Sequence, residues 1–255
     1  MRELFLTFVV NDDAKDRSLN ILEKFCDMKS QIILQRQLLW VPLPKRMQKK
    51  EVTKKPGALA KLVETSNDPM KVLECHLNRL PYMLILQYDI KTEQYGTEVD
   101  CDETTATLIW TDIPIPGDSQ QVNDRDRVQI EIKAEDHPCS KMNDLKYRYV
   151  GEIIKDGYRF VHGNISIDLV RTVQTSATAG SKNEQGNNVP KIVPDYDKIE
   201  RQPESRYVMS AKIDVEDKKL IQQGKDELLA LQKELQGSFN LKFQDRFLFD
   251  TRVRV

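Results

Sequence analysis

The 255-residue sequence has only three histidines and four cysteines, and neither set is arranged for chemistry. Cys26, Cys75, Cys101 and Cys139 are scattered without Cys-x-x-Cys spacing, so they read as the reduced thiols of an intracellular protein. Cys75-His76 and His137-Pro138-Cys139 supply four nominal zinc ligands. Adjacent Cys and His would point to opposite faces of a strand, however, and the spacings fit no zinc module. A buried thiol beside a surface imidazole is the preferred reading, and no metal or cofactor is expected. Three motifs are also missing: Gly-x-x-x-x-Gly-Lys-Ser/Thr, Gly-x-Ser-x-Gly and His-Glu-x-x-His. Their absence removes P-loop nucleotide hydrolysis, nucleophile-elbow hydrolysis and zincin peptidase chemistry. Net charge is lacking too. Lys plus Arg number 39 against 40 Asp plus Glu, so there is no global field for nucleic acid or an anionic membrane. No apolar run approaches the roughly 20 residues that a membrane-spanning helix needs. The N-terminus, MRELFLTFVVNDDAK, turns acidic too soon for a signal peptide.

What is present is a series of alternating strands with few helices. ELFLTFVV (3–10) is β-rich, and residues 14–28 follow as an amphipathic helix carrying Leu19, Ile21, Leu22, Phe25 and Cys26. A second strand runs from Gln31 to Val41 and ends at Pro42 and Pro44. A basic stretch follows, with a short apolar helix expected at 58–64. Strands resume at Tyr82–Ile90, Thr105–Asp112 and RVQIEIKAE (127–135), and a short helix is expected near Ser140–Leu145. The meander Tyr147–Ile154, Tyr158–His162 and Ile165–Val173 is predicted to turn at Asp156-Gly157 and at Gly163-Asn164. After a Gly-, Ser- and Asn-rich stretch come a strand at Tyr207–Val215 and a helix from about Asp217 to Gln236. That helix carries a stripe of Leu220, Gly224, Leu228, Leu231 and Leu235. A last strand is read in SFNLKF, with Phe239, Leu241 and Phe243 on one face. Eight or nine strands without βαβ alternation predict an antiparallel sheet, strongly curved or closed into a barrel, with helices on its flanks. The expected organisation is a single domain over 1–255, with a basic insertion at 45–71 and a flexible polar insertion at 175–205.

One strand raises the possibility of an enzyme. In RVQIEIKAE, Val128, Ile130 and Ile132 share one face, while Gln129, Glu131 and Lys133 share the other. The polar face is one carboxylate short of Glu-x-Glu-x-Lys, the strand signature of triphosphate-tunnel enzymes, which hold a divalent metal and a polyphosphate inside a barrel. A tunnel needs inward carboxylates and cations on several strands. Glu131, Lys133, Glu152, Arg159, Asp168, Lys212, Asp214 and Lys242 make a possible set, but no strand carries two acids on one face as the Glu-x-Glu signature requires. The opposite faces are well stocked: Ala106, Leu108 and Trp110; Ile165, Ile167 and Leu169; Met209, Ala211 and Ile213. A barrel filled by apolar side chains with its polar face outside is therefore expected. A metal-dependent triphosphate-tunnel phosphohydrolase stands as the alternative reading. The basic run Lys45, Arg46, Lys49, Lys50, Lys54 and Lys55 has no interleaved aromatic residue, so it reads as a solvated loop.

ELLALQKELQGSFNLKFQDRFLFDTRV (227–253) resembles the closing helix, strand and tail of the Mediator subunit 18 family, especially its fungal forms. The likeness is closest at KELQG and at Asp245, Arg246, Asp250, Arg252 and Val253. LFLTFVVNDD with LWVPLP, WTDIPIPGD (110–118) and MNDLKYRYVGEIIKDGYRFVHGNISIDLVRTVQ (142–174) agree in order with the rest of that family. The resemblance implies a non-enzymatic subunit of the Mediator head module, built as an antiparallel β-barrel similar in fold to the triphosphate-tunnel enzymes. It also implies a nuclear location and no direct nucleic-acid or membrane partner. The implied partners are Mediator subunit 20, a C-terminal helix of subunit 8, the other head-module subunits and the RNA polymerase II machinery. Phe247 and Phe249 in the tail are candidates for one wall of a groove receiving such a helix, or for a staple of the tail to its own barrel.

Overall fold

A computed structural model describes residues 1–44, 68–116, 121–174, 189–195 and 206–253. The expected helix at 58–64 and most of the basic stretch lie outside these residues. The described residues form eight strands: β1 (Arg2–Asn11), β2 (Gln31–Pro42), β3 (Leu84–Asp89), β4 (Ala106–Thr111), β5 (Asn123–Ile132), β6 (Tyr147–His162), β7 (Ile165–Gln174) and β8 (Arg206–Val215). They close into an antiparallel barrel in the order β1-β5-β4-β3-β2-β6-β7-β8. Four helices flank it: α1 (Lys15–Cys26), α2 (Pro69–Leu77), α3 (Pro138–Asp144) and α4 (Ile221–Leu235). The start of α2 is set by Asp68, whose carboxylate accepts from the Met70 amide at 3.0 Å, with Pro69 in the first helical turn.

The two faces of the sheet are disposed opposite to the expectation. Outward faces of β1 and β6–β8, including Leu4, Leu6, Phe160, Ile167, Leu169, Met209 and Ala211, pack under α1 and α4. Outward faces of β2–β5, including Leu38, Trp40, Leu86, Leu108 and Trp110, pack under α2 and α3. The apolar stripes therefore meet helices outside the barrel, and the polar stripes turn into its lumen. The helices decide this: each must bury its own apolar stripe, and only the outer surface of the sheet is long enough to receive them. Leu22 on α1 and Leu228, Leu231 and Leu235 on α4 are buried in that way, whereas Leu220, placed by sequence on the same stripe, is half exposed.

Three local readings also change. Asp156-Gly157 is not a turn, because β6 runs unbroken through it and pairs with both β2 and β7. Gly157 is instead required by close approach: a Cβ there would lie 2.2 Å from the Leu169 carbonyl oxygen and 2.7 Å from the Val170 Cα. The turn is at Gly163, with φ +58°, between paired His162 and Ile165. SFNLKF makes no barrel strand. Phe239 and Leu241 are buried in the cluster that includes the α4 leucines, the Gln232 amide donates to the Leu241 carbonyl at 2.6 Å, and one bridge joins Lys242 to Thr7. Finally, the 175–205 stretch contributes an ordered strap at 189–195. Val193 is fully buried against Ile90, Ile154 and Val173, and its amide donates to the Thr97 carbonyl at 3.0 Å.

Gly157→Ala should cost about 3 kcal/mol or more in urea unfolding, since backbone atoms cannot yield as a side chain can. Gly163→Ala meets open space and should cost only the left-handed penalty of about 1–2 kcal/mol. Equal costs would mean that β7 is not packed against Gly157 as described.

Candidate functional site: a charged lumen and the tail across its mouth

Strand alternation and the ladder registers define the inward set. Glu3 lies opposite Arg125 on β5 and Asp214 on β8. Asp168 on β7 lies opposite Arg159 on β6, and Ser166 on β7 lies opposite Lys212 on β8. Thr111 lies opposite Arg127, and Gln37 opposite Gln87, with 2.7 Å between their side-chain amides. These groups couple densely. Glu3 accepts from Arg125 Nε at 2.6 Å and from Arg127 Nη1 at 2.8 Å, and Arg127 reaches Asp214 at 3.5 Å. Asp168 accepts from Arg159 Nε at 2.7 Å and Nη2 at 3.0 Å, and also from Lys212.

The electrostatics follow from these pairings. Burial alone would push the Glu3 carboxyl up, but the charges of Arg125 and Arg127 outweigh it and hold the group below its ordinary value. Asp168 behaves alike: burial raises it, and Arg159 with Lys212 brings it down further than burial lifts it. Asp214 goes the other way, raised chiefly by burial. Lys155, inward on β6, is lowered to about 8 by burial and by the cations Lys212, Arg125 and Arg127, against the pull of Asp168.

Of the eight residues considered for a tunnel, Glu131, Arg159, Asp168, Lys212 and Asp214 do share the inward face. The other three do not. Glu152 points outward into an ion pair with Arg36, both side chains being 1% exposed. Lys133 lies beyond β5, beside Glu135. Lys242 sits at the bridge to Thr7. Sequence reading missed Glu3, Arg125, Arg127 and Lys155. The signal for two of them was present in the same strand, where Arg125 and Arg127 continue the alternation of Gln129 and Glu131. Among the described residues no three His, Cys, Asp or Glu side chains gather as a metal site. Cys75 and His76 lie on α2 rather than on a strand, with the imidazole stacked on Trp110 at 4.2 Å.

One mouth of the lumen is crossed by the C-terminal tail. Asn123 makes reciprocal bonds with the Gln244 backbone, each 3.0 Å. Asp245 accepts from the Phe247 amide at 2.9 Å, which shapes a single helical turn at Arg246–Phe249. The Thr251 hydroxyl donates to the Thr111 carbonyl at 2.8 Å, the Met83 amide to the Thr251 carbonyl at 2.8 Å, and the Val253 amide to the Pro81 carbonyl at 2.9 Å. Asp250 accepts from the Arg252 amide and guanidinium. The tail thus passes β1, β5, β4 and β3 in turn. Within it, Phe249 meets inward-facing Phe5 edge-on at 4.9 Å, and the Arg125 guanidinium lies over both rings. Phe247 and Leu248 point away, 65% and 70% exposed.

These features define a class: a closed eight-stranded antiparallel barrel, helix-covered outside and ion-paired inside, with its own tail across one mouth. The profile of the Med18 protein family matches residues 2–252, and the chain belongs to that family. Mediator of RNA polymerase II transcription subunit 18 from Scheffersomyces stipitis is 30% identical over 114 residues. That alignment spans 45% of this chain and 31% of the relative's length. A chain in the structure of the Schizosaccharomyces pombe Mediator head module superposes with a TM-score of 0.63 at 14% identity, over 99% of this chain and 100% of that one, which establishes the likeness in fold.

Asp168→Asn should cost about 3 kcal/mol at pH 7, because it leaves Arg159 and Lys212 without their shared acceptor. Its folded carboxyl lies below the ordinary 3.8, so its contribution is complete above that value and is lost as the pH falls through the folded one. In urea unfolding the gap between wild type and variant should be flat from about pH 7 to 5 and close below about pH 4. A gap that widens on acidification would contradict the pairing.

Proposed function

We propose that this protein is a non-enzymatic subunit of the Mediator head module, acting in the nucleus through protein–protein contact to support RNA polymerase II transcription. The observation that carries this reading is the family match across residues 2–252. In the proposed assembly it pairs with Mediator subunit 20, holds a C-terminal helix of subunit 8, and joins the other head-module subunits and the polymerase machinery. The chemistry of the lumen supports a binding role. Glu3 is engaged by two arginines and Asp168 by an arginine and a lysine, so the buried acids are already neutralised by protein cations. Phe247 and Phe249 are proposed as partner contacts. Phe247 offers an exposed ring beside Leu248, with the Arg246 guanidinium 5.6 Å from its centroid, and Phe249 fixes the segment by packing on Phe5.

Co-expression with a subunit 20 homologue should give a stable complex on gel filtration. Phe247→Ala should weaken capture of the subunit 8 helix about thirtyfold, the loss of one central aromatic contact. Failure of the pair to co-purify would remove the proposal, whereas an unchanged helix affinity would remove only the role of Phe247.

The inward charged face keeps a second reading in view, a metal-dependent tripolyphosphatase using Glu131. That reading requires manganese- or magnesium-dependent phosphate release that is lost in Glu131→Ala. Equal inactivity of wild type and variant with both metals is the outcome expected here.

A further inference from the structure

We infer that the groove under the 189–195 strap is a docking site for an extended peptide of a partner protein, and that the strap fills it in cis as a displaceable occupant. The barrel does not need the strap for its connectivity. β7 and β8 are antiparallel neighbours, which a hairpin loop of about two to five residues could join. The chain instead runs from Gln174 to Arg206 between them, and within that stretch 189–195 crosses to residues 96–99, between β3 and β4. The strap lies there as an added strand. The Val99 amide donates to the Lys191 carbonyl at 2.8 Å. The Val193 amide donates to the Thr97 carbonyl and the Gly96 amide to the Val193 carbonyl, each at 3.0 Å, around an antiparallel bridge of Ile192 with Glu98. Alternate side chains make the contacts. Val193 is fully buried against Ile90, Ile154 and Val173, and Val189 packs on the cluster that includes Leu38 and Cys101. Midway between them the Lys191 ammonium meets Asp100 at 2.7 Å, while Ile192 points away, 61% exposed. Beneath the strap, Arg36 Nη2 bonds Glu152 at 2.6 Å and also donates to the Pro190 carbonyl at 2.6 Å.

With the strap lifted, the Gly96 and Val99 amides, a guanidinium hydrogen of Arg36 and the pocket of Ile90, Ile154 and Val173 all face the same groove. That is the equipment of β-strand addition, in which backbone bonds give affinity and pockets for alternate side chains give specificity. The contacts define the occupant: an extended segment with apolar side chains four residues apart and a lysine or arginine midway. The cation answers Asp100, and the charges of Glu98 and Glu103 act on it in the same sense. A strap with one fully buried side chain, and with Lys191 and Ile192 exposed, belongs to the part of a structure that opens locally before the barrel does. This surface is separate from the tail aromatics and needs none of the assembly proposed above.

The test is fluorescence anisotropy of a labelled, end-capped VPKIVPD peptide added to the full chain and to full-length Val193→Asp, whose strap would have to bury a carboxylate in the apolar pocket. The peptide should bind the variant about tenfold more tightly than wild type, because the competitor in cis is gone. A peptide carrying Val193→Asp should not bind, and one carrying Lys191→Glu should bind about fivefold more weakly. Absence of binding by the variant, equal binding to both chains, or binding indifferent to the peptide's Val193 overturns the inference. So does a wild-type dimer that is lost in Val193→Asp, since it would assign the groove to a second copy of this chain. Should Val193→Asp fail to fold, amide hydrogen exchange of the wild type decides. The Gly96 and Val99 amides should exchange about a hundredfold faster than those of the β2–β6 ladder. Exchange at the ladder's own rate would make the strap a fixed part of the barrel and overturn the inference.

Discussion

The barrel exists only if β1 meets β5, and that seam is short. Four residue pairs, from Arg2–Asp126 to Phe5–Asn123, close it, whereas β1 and β8 pair over ten positions. So short a ladder contributes few hydrogen bonds, and charge clamps it on both faces. Outside, Arg2 bridges Asp124 and Asp126, and Lys225 reaches down from α4 to Asp124 at 3.1 Å. Inside, Glu3 takes both Arg125 and Arg127. Ion pairs in partly dry sites are poor sources of net stability but severe judges of register. Slipping β1 by one residue would carry Glu3 to the helix-covered face and Leu4 into the lumen. The seam therefore holds β1 in the register that keeps Glu3 in the lumen, in step with the helices that cover the opposite face.

That constraint explains what could be read from the sequence and what could not. Seven of the eight barrel strands were legible as alternating runs, β6 being divided in two at Asp156-Gly157, and α1 and α4 were legible as stripes such as Leu228, Leu231 and Leu235. The side on which each stripe lies was not legible. Alternation in Ala106, Leu108 and Trp110 is the same whether those residues fill a barrel or coat it. The choice depends on long-range packing of four helices whose combined apolar area needs a receiving surface. Once they cover the outside, Arg125, Arg127, Arg159 and Lys212 have only the lumen left, and the carboxylates gather there to pair with them.

The misread glycine and the unforeseen strap have a shared cause. Asp156-Gly157 has the composition of a turn, but its conformation is fixed by β7 passing within contact of the backbone, and local sequence holds no trace of that neighbour. Likewise, VPKIVPD at 189–195 sits in a polar stretch too poor in apolar residues to fold alone. It is ordered because Val193 fills the gap above Ile154, and because the Pro190 carbonyl accepts from Arg36 Nη2 at 2.6 Å. Arg36 itself is buried on the outer face, held by Glu152 at 2.8 Å and by the Cys101 sulfur at 3.3 Å. A guanidinium at that depth needs every donor met, and the strap supplies an acceptor that no helix does.

The tail shows how a diffuse sequence signature acquires a physical meaning. Asp245, Asp250, Arg252 and Val253 form no catalytic pattern, yet each makes a bond that shapes the tail or ties it to the barrel mouth. Phe249 shares its neighbours with the lumen, since Arg125 lies over its ring and also clamps Glu3. Two phenylalanines separated only by Leu248 thus have opposite fates. Phe249 faces a ring and a cation already fixed by the seam, while Phe247, two residues earlier on a single helical turn, is carried outward, with the Arg246 guanidinium 5.6 Å from its ring centroid. The same arginine that closes the barrel thereby also anchors the tail through Phe249. A change in the lumen's charge state would reach the tail through Arg125, without any strand having to move.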